Sequence, residues 1–237
     1  MNDLNFSSMK HRVLSHYEPY RNRAARHAGP QEGSVSSPDI PNAHRLFFQE
    51  SIRSMGQTAS MFPSSRYLAN ALTRPIDFRR ARTVVELGPG TGAVTNEILK
   101  RMRPDARLFA VDINQTFIDH LSNTCQDPRL VPLRGSATDL QSLLAQHDIG
   151  SADAIVSSLG LTGMDHRTRM SIMRQIGGCL VAHGTMTQYQ YAAHLEIAKL
   201  RLGGFNEARF LRRFFGDVSV RGVLLNLPPA LVFTCRK

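Results

Sequence analysis

From residue 83 onward, apolar residues fall into short runs of about five separated by longer stretches in which they recur every three or four positions. A strand period alternating with a helix period predicts an α/β fold built on a largely parallel sheet. Strands are expected at 83–87, 107–112, 129–133, 152–159 and 185–191. Two further segments, 218–220 and 223–225, run into Asn226-Leu227-Pro228-Pro229 and a last strand at 230–234, which reads as an antiparallel pair. Between them, Ala93, Val94, Glu97, Ile98 and Met102 keep helical spacing, as do Phe117, Ile118 and Leu121, and helices are expected at 167–176, 193–202 and 207–214. Upstream, Phe48, Ile52 and Met55, with Leu46 and Phe47, mark an amphipathic helix flanked by Arg45 and Arg53. Pro63-Ser64-Ser65 starts another helix with a serine N-cap and with Tyr67, Leu68, Ala71 and Leu72 on its buried side.

The sharpest break in the pattern is Glu86-Leu87-Gly88-Pro89-Gly90-Thr91-Gly92. Alternating glycines between a strand and a helix permit a tight turn and bring bare backbone against a ligand. The spacing is not that of the dinucleotide fingerprint, and the Gly-Lys-Ser/Thr ending of a phosphate-binding loop is missing. Glu86, two residues ahead of Gly88, would repel a pyrophosphate but suits an ammonium or sulfonium charge. Asp112 closes the second strand roughly twenty residues on, where an acid accepts hydrogen bonds from both hydroxyls of a ribose, with Ile113 beside it. Ser157 lies at the C-terminal end of the fourth strand, which borders the ligand crevice in open α/β sheets.

Composition narrows the partners. The 237 residues are 42% hydrophobic, enough for one substantial core, and carry a net charge of +10, which favours an anionic partner, either nucleic acid or a lipid surface. The 1–43 segment is expected to be a flexible basic arm, followed by one domain over 44–237 whose first part, 44–80, forms a helical cap. Three widely spaced cysteines and the absence of histidine ligand spacings point to no disulfide framework, no zinc site and a reducing, cytoplasmic compartment. No apolar run reaches the roughly 18 residues of a spanning helix, so contact with a membrane would be peripheral.

The string Glu86 to Gly92 resembles the first motif of class I S-adenosylmethionine-dependent methyltransferases. Three further segments narrow the resemblance to the peripheral bacterial phospholipid N-methyltransferases: Pro63-Ser64-Ser65, Gln188-Tyr189-Gln190-Tyr191 and Asn226-Leu227-Pro228-Pro229-Ala230. It covers residues 44–237. The resemblance implies a Rossmann-like, seven-stranded, mostly parallel sheet with an antiparallel last strand, preceded by amphipathic helices. It also implies S-adenosyl-L-methionine held by Glu86, Gly88, Gly90, Gly92, Asp112, Ile113, Ser136, Ala137 and Ser157. The implied activity is methylation of the phosphatidylethanolamine amine toward phosphatidylcholine, on the inner face of the membrane. Ser136 stands where the family usually has an aspartate facing the adenine, and Asp139 reads as a helix cap. The segment Ser157-Ser158-Leu159-Gly160-Leu161 departs from the family form, which leaves an ornithine lipid or a small amine open as acceptor.

For the acceptor, Tyr191 is the first candidate: its ring can hold a cation and its hydroxyl can accept a hydrogen bond. Tyr189 is expected on the other side of the strand. His194 or Glu196 would relay the proton, and Ser64 and Ser65 join Tyr191 as headgroup contacts. Arg174, Arg209, Arg212 and Arg213 read as a solvated face more than as phosphate ligands. An RNA adenine N6-methyltransferase is the rival suggested by the charge. It would place Asn-x-Pro-aromatic after the fourth strand to grip a flipped base, and Ser157-Ser158-Leu159-Gly160 supplies neither the amide nor the ring. A non-catalytic cofactor- or lipid-binding protein is the second rival.

Overall fold

The computed structural model describes residues 65–191, 206–226 and 228–237. The expected helix around Phe47 and Phe48, the 1–43 arm, the helix at 193–202 and the candidates Ser64, His194 and Glu196 lie outside the described residues.

In chain order the elements are α1 (Ser65–Thr73), β1 (Thr83–Leu87), α2 (Ala93–Arg101), β2 (Arg107–Asp112), α3 (Gln115–Thr124), β3 (Leu130–Arg134), α4 (Leu140–Ala145), β4 (Ala152–Ser157), α5 (His166–Cys179), β5 (Leu180–Tyr191), α6 (Glu207–Leu211), β6 (Asp217–Val223) and β7 (Ala230–Arg236). The seven strands pair in the order β3-β2-β1-β4-β5-β7-β6. β7 runs antiparallel to both neighbours, and the other pairings are parallel. This is the α/β fold expected from the pattern, in the Rossmann-like form that the resemblance implied, with β1 at the point where the strand order reverses.

The period of two along each strand divides the core. Val85, Phe109, Ile155, Met186 and Phe233 face one side and pack with Leu140 and Leu144 of α4, Ile172, Met173 and Ile176 of α5, and Phe210 and Leu211 of α6. Val84, Leu108, Ala154, Val156 and Val232 face the other and meet Leu68 and Leu72 of α1 and Ile98 and Leu99 of α2. A sheet covered on both faces explains why its central strands read as apolar runs rather than as alternation.

Several boundaries differ from the sequence expectation. α1 buries Leu68, Ala69 and Leu72, while Tyr67 is 39% exposed beneath the Arg66 guanidinium, whose carbon sits 5.2 Å from the ring centroid. α5 starts at His166 because Asp165 caps it, accepting the Thr168 N–H at 3.0 Å. β5 begins five residues earlier than expected and absorbs the His183-Gly184 turn as an irregularity in its pairing with β4. There Lys237 Nζ donates to the carbonyls of Gly177 and Leu180, both at 2.6 Å. α6 stops at Leu211, and β6 is continuous, so Leu224 and Leu225 belong to the turn rather than to a strand.

Arg129 ties α2 to β3. Its guanidinium donates to the carbonyls of Leu99 and Met102 at 2.8 Å and of Arg103 at 3.2 Å, and it pairs with Asp127 at 2.6 Å. These carbonyls close the C-terminal end of α2, where backbone acceptors lack helical partners. Arg129→Ala is therefore expected to lower stability by about 1–3 kcal/mol, read as a lower urea midpoint with an unchanged slope. Arg129→Lys should recover only part of the loss, since one ammonium cannot span the same set of acceptors.

Candidate active site

β1 leaves the centre of the sheet into the glycine turn with Glu86 already committed to the interior. Its side chain is fully buried. Thr95, in the first turn of α2, donates its hydroxyl to Glu86 Oε2 at 2.7 Å, and Oε1 has no partner among the described residues. Burial, opposed by the Thr95 hydrogen bond and reinforced by the nearby Asp112 charge, pushes the Glu86 carboxyl up to about 8. A buried acid with one free oxygen at the base of a backbone turn is a receptor for a cationic group.

The turn itself uses left-handed backbone at Gly88, Gly90 and Gly92, with φ of 75°, 53° and 84°. At Gly92 a side chain would also collide with Leu121 of α3, 3.1 Å from where a Cβ would sit. At Gly90 a Cβ would meet nothing within 4 Å, so that side of the backbone faces open space available to a ligand. The Gly88 N–H donates to the Val111 carbonyl at 2.9 Å, and a Cβ there would sit 3.3 Å from Leu159, which places the turn between β2 and the exit of β4.

Asp112 completes this wall. It is 5% exposed, and the Asn114 N–H donates to its Oδ1 at 2.9 Å. Burial raises its carboxyl, while the amides of Asn114, Gly90 and Ile113 pull it back. Ile113 next to it is 53% exposed, an apolar face left uncovered beside the Asp112 carboxylate. The Ser136 hydroxyl shares a hydrogen bond with the Thr138 hydroxyl at 2.7 Å and accepts the Thr138 N–H at 3.2 Å, so it caps its own turn, and Ala137 is buried behind it. Asp139 makes no capping hydrogen bond at the start of α4, which corrects the expectation of a cap. Ser157 is fully buried, its hydroxyl accepting the Leu159 N–H at 3.4 Å.

At the end of β5 the structure overturns one sequence expectation. Tyr189 and Tyr191 lie on the same side of the strand, their rings 5.2 Å apart and edge-on at 72°. Residues two apart on a strand share a face. Both rings pack against the α1–α2 side of the core. Burial first, and then Tyr191, hold the Tyr189 hydroxyl well above the usual phenol range. Arg174, Arg209, Arg212 and Arg213 are exposed.

Two residues went unassigned in the sequence. Gln188 donates to the Leu159 carbonyl at 2.7 Å and to the Tyr189 carbonyl at 2.9 Å, so it fixes the β4 exit that in turn backs Gly88. Glu207 is 1% exposed, and burial pushes it up to about 8 against the opposing influence of Gln188, Arg169 and Thr162. In sequence Glu207 follows the capping Asn206 and reads as an ordinary first-turn acid; only the packing of α6 on the sheet buries it. Glu86 carried a signal because a glycine turn followed it.

Sequence comparison fits this geometry. The methyltransferase domain family matches residues 84–184, the stretch from β1 into β5. Over 179 residues the chain is 31% identical to an ornithine lipid N-methyltransferase of Singulisphaera acidiphila, covering 75% of this chain and 88% of that protein. This chain belongs to the class I S-adenosylmethionine-dependent methyltransferases. Solved structures agree on the fold. A Burkholderia thailandensis 1,6-didemethyltoxoflavin N1-methyltransferase with bound S-adenosylhomocysteine superposes with a TM-score of 0.60 at 18% identity, over 88% of this chain and 94% of that one. The N-methyltransferase NodS of Bradyrhizobium japonicum, also with S-adenosylhomocysteine, gives 0.55 at 16% identity over 75% and 89%.

The methyltransferase takes S-adenosyl-L-methionine as its methyl donor. The free oxygen of Glu86, the open backbone at Gly90 and the bare side chain of Ile113 fit such a ligand, which has an ammonium, a ribose and a flat ring. The pH dependence follows from Glu86. The folded, cofactor-free methyltransferase keeps this proton up to about 8, whereas the unfolded chain releases it near 4.5. The contribution of Glu86 therefore lowers stability as pH rises between about 4.5 and 8. A cation binding beside Glu86 favours the ionised form, so cofactor affinity is expected to rise with pH until about 8 and then level off, with proton release below that point. Calorimetry in buffers of different ionisation enthalpy reads both quantities, and Glu86→Gln should flatten the affinity profile and abolish the proton release.

Proposed function

We propose that this methyltransferase transfers methyl groups to the amine of an aminolipid, an ornithine lipid in the first instance, with phosphatidylethanolamine as the second acceptor. The observation that carries the reading is the 31% identity to a lipid N-methyltransferase along 88% of that protein's length. Two features support it: the paired tyrosines at the end of β5 and the basic balance of the chain. Among the described residues no helix is long and apolar enough to cross a membrane, which agrees with a lipid substrate met from the surface.

In this proposal Glu86 faces the cofactor's ammonium, Gly88, Gly90 and Gly92 shape the backbone beneath it, and Asp112 receives the ribose hydroxyls. Ile113 and Ala137 bracket the adenine, with the turn at Ser136 offering backbone amides, and Ser157 closes the crevice at β4. When bound, S-adenosylmethionine supplies a methyl group made electrophilic by its sulfonium. The residues on the acceptor side have to hold an amine in line with that methyl and let it lose a proton first. The Tyr191 ring holds the cationic amine and its hydroxyl orients it, while the Tyr189 ring, stacked edge-on, keeps Tyr191 from turning away. His194, three residues further on in sequence, is the candidate for proton relay, and Ser64 and Ser65 are those for headgroup contact. Residues 1–43 act as a basic arm drawn to anionic lipid, ahead of a methyltransferase domain over 44–237.

Labelled S-adenosylmethionine offered with ornithine lipid, phosphatidylethanolamine and total RNA in parallel tests the reading. Label in a lipid amine is expected, and label confined to RNA would overturn it in favour of base methylation. Tyr191→Ala should lower kcat/KM for the lipid by about ten- to thirty-fold, the range of a desolvated cation–π contact, with cofactor affinity unchanged. Tyr191→Phe should retain most of the activity.

A further inference from the structure

The turn between β6 and β7 carries the two most exposed large apolar side chains of the described residues, Leu224 at 78% and Leu225 at 70%. Its sequence, Leu224-Leu225-Asn226-Leu227-Pro228-Pro229, holds no charge. The turn is built to hold a shape. Asn226 is 4% exposed and donates its side-chain amide to the Pro228 carbonyl at 2.7 Å, so the leucines are presented outward on a braced loop.

Strand register places this tip beside the acceptor end of the site. Leu87, Ser157, Gln188, Phe233 and Val220 form one row across β1, β4, β5, β7 and β6. Three residues further along, Tyr191 pairs with Ala230 and Ala230 with Val223. β5, β7 and β6 therefore extend about 10 Å beyond the row from which the glycine turn departs, and Tyr191 is two strand spacings, about 10 Å, from the base of the tip. The charge behind the tip has one sign. No acidic residue occurs from Val218 to the last residue, Lys237. A shallow groove of about 290 Å³ between α1 and β6–β7 is lined by Arg74, Arg221 and Arg236, of which Arg236 is 3.6 Å from Asp217. Arg221 stands three residues behind Leu224.

We propose that Leu224 and Leu225 enter an anionic lipid bilayer, with Arg221 and Arg74 at the level of the phosphates, and that this docking sets the Tyr191 end of β5 against the headgroup layer. Apolar side chains at a tip backed by arginines match a bilayer surface, where apolar burial and attraction to anionic headgroups add. An apolar protein groove would match the leucines but would have no use for the arginines behind them. The inference deepens the aminolipid reading, because docking here would bring the acceptor amine to Tyr191.

The chain contains no tryptophan, so Leu224→Trp introduces a single fluorescent reporter. Vesicles of equal phosphatidylglycerol and phosphatidylcholine are expected to shift its emission to the blue, and brominated acyl chains to quench it by about half or more, as for a side chain below the headgroups. Unshifted emission on vesicles that sediment with the protein, or failure to bind vesicles at all, would overturn the proposal. So would a blue shift that grows with protein concentration in the absence of lipid, which would mark the tip as a contact between copies of the chain. As a second measurement, Leu224→Ser with Leu225→Ser should weaken vesicle binding by about ten-fold or more, in keeping with the lost apolar area. Cofactor affinity should stay within about two-fold, because neither leucine touches the cofactor turn; equal vesicle binding by this variant would also overturn the proposal. These readouts need no methyl transfer. Insertion without label in any lipid would leave the docking standing and remove the aminolipid acceptor, and label in lipid without insertion would do the reverse.

Discussion

The site depends on one carboxylate held in the middle of the sheet. Glu86 is fully enclosed, hydrogen-bonded by Thr95, and its Oε1 has no partner among the described residues. An isolated charge there would be costly, so the group keeps its proton until about pH 8 in the absence of a cation. Everything around it serves that placement. β1 is central, covered on both sides, and the glycine turn leaves the sheet directly above the acid. The tension is between burial, which favours the neutral acid, and ligand binding, which needs the anion. In the proposed function, where Glu86 faces the cofactor's ammonium, that tension couples cofactor capture to proton release.

The glycine turn is linked to the tyrosine pair at the end of β5 through a short chain of contacts. Gly88 rests on Leu159, the Leu159 carbonyl receives Gln188, and Gln188 lies on β5, which ends at Tyr191. A shift in the β4 exit would therefore disturb the glycine turn and the tyrosine corner together. Glu207 is a second buried, proton-holding carboxyl, beside Arg169 and the loop that carries Thr162. Both faces of the sheet therefore bury a carboxyl: Glu86, bonded to Thr95 of α2, on the α1–α2 side where both tyrosines pack, and Glu207 of α6 on the α4–α5 side.

The glycine turn and the far edge of the sheet differ in character. Backbone amides converge on Asp112 at the C-terminal end of β2. At the β6–β7 side the strands extend past the row of the glycine turn and end in an exposed leucine pair, with Arg221 three residues behind Leu224. A rigid cofactor cradle beside an apolar, basic rim suits chemistry on a substrate that stays partly embedded in another phase.

Much of this was legible in the residues themselves. β1 and β2 begin and end where the apolar runs predict, and the glycine spacing with Glu86 and Asp112 pointed to a cationic, ribose-bearing ligand, which the resemblance to the methyltransferases named, because backbone geometry and charge type are local properties. The antiparallel final pair was readable from its proline turn. Tertiary structure alone decided the rest. The shared face of Tyr189 and Tyr191 was not among these, since it follows from the two-residue repeat of any strand, which the expectation of opposite sides misapplied. Asp139 makes no cap to α4, and the burial of Glu207 came from the way α6 meets the sheet. Leu224 and Leu225 read as strand but proved to be an exposed tip, because register with β7, set over many residues, determined where β6 stops. Local sequence specifies what a residue can do, and long-range pairing specifies what it faces.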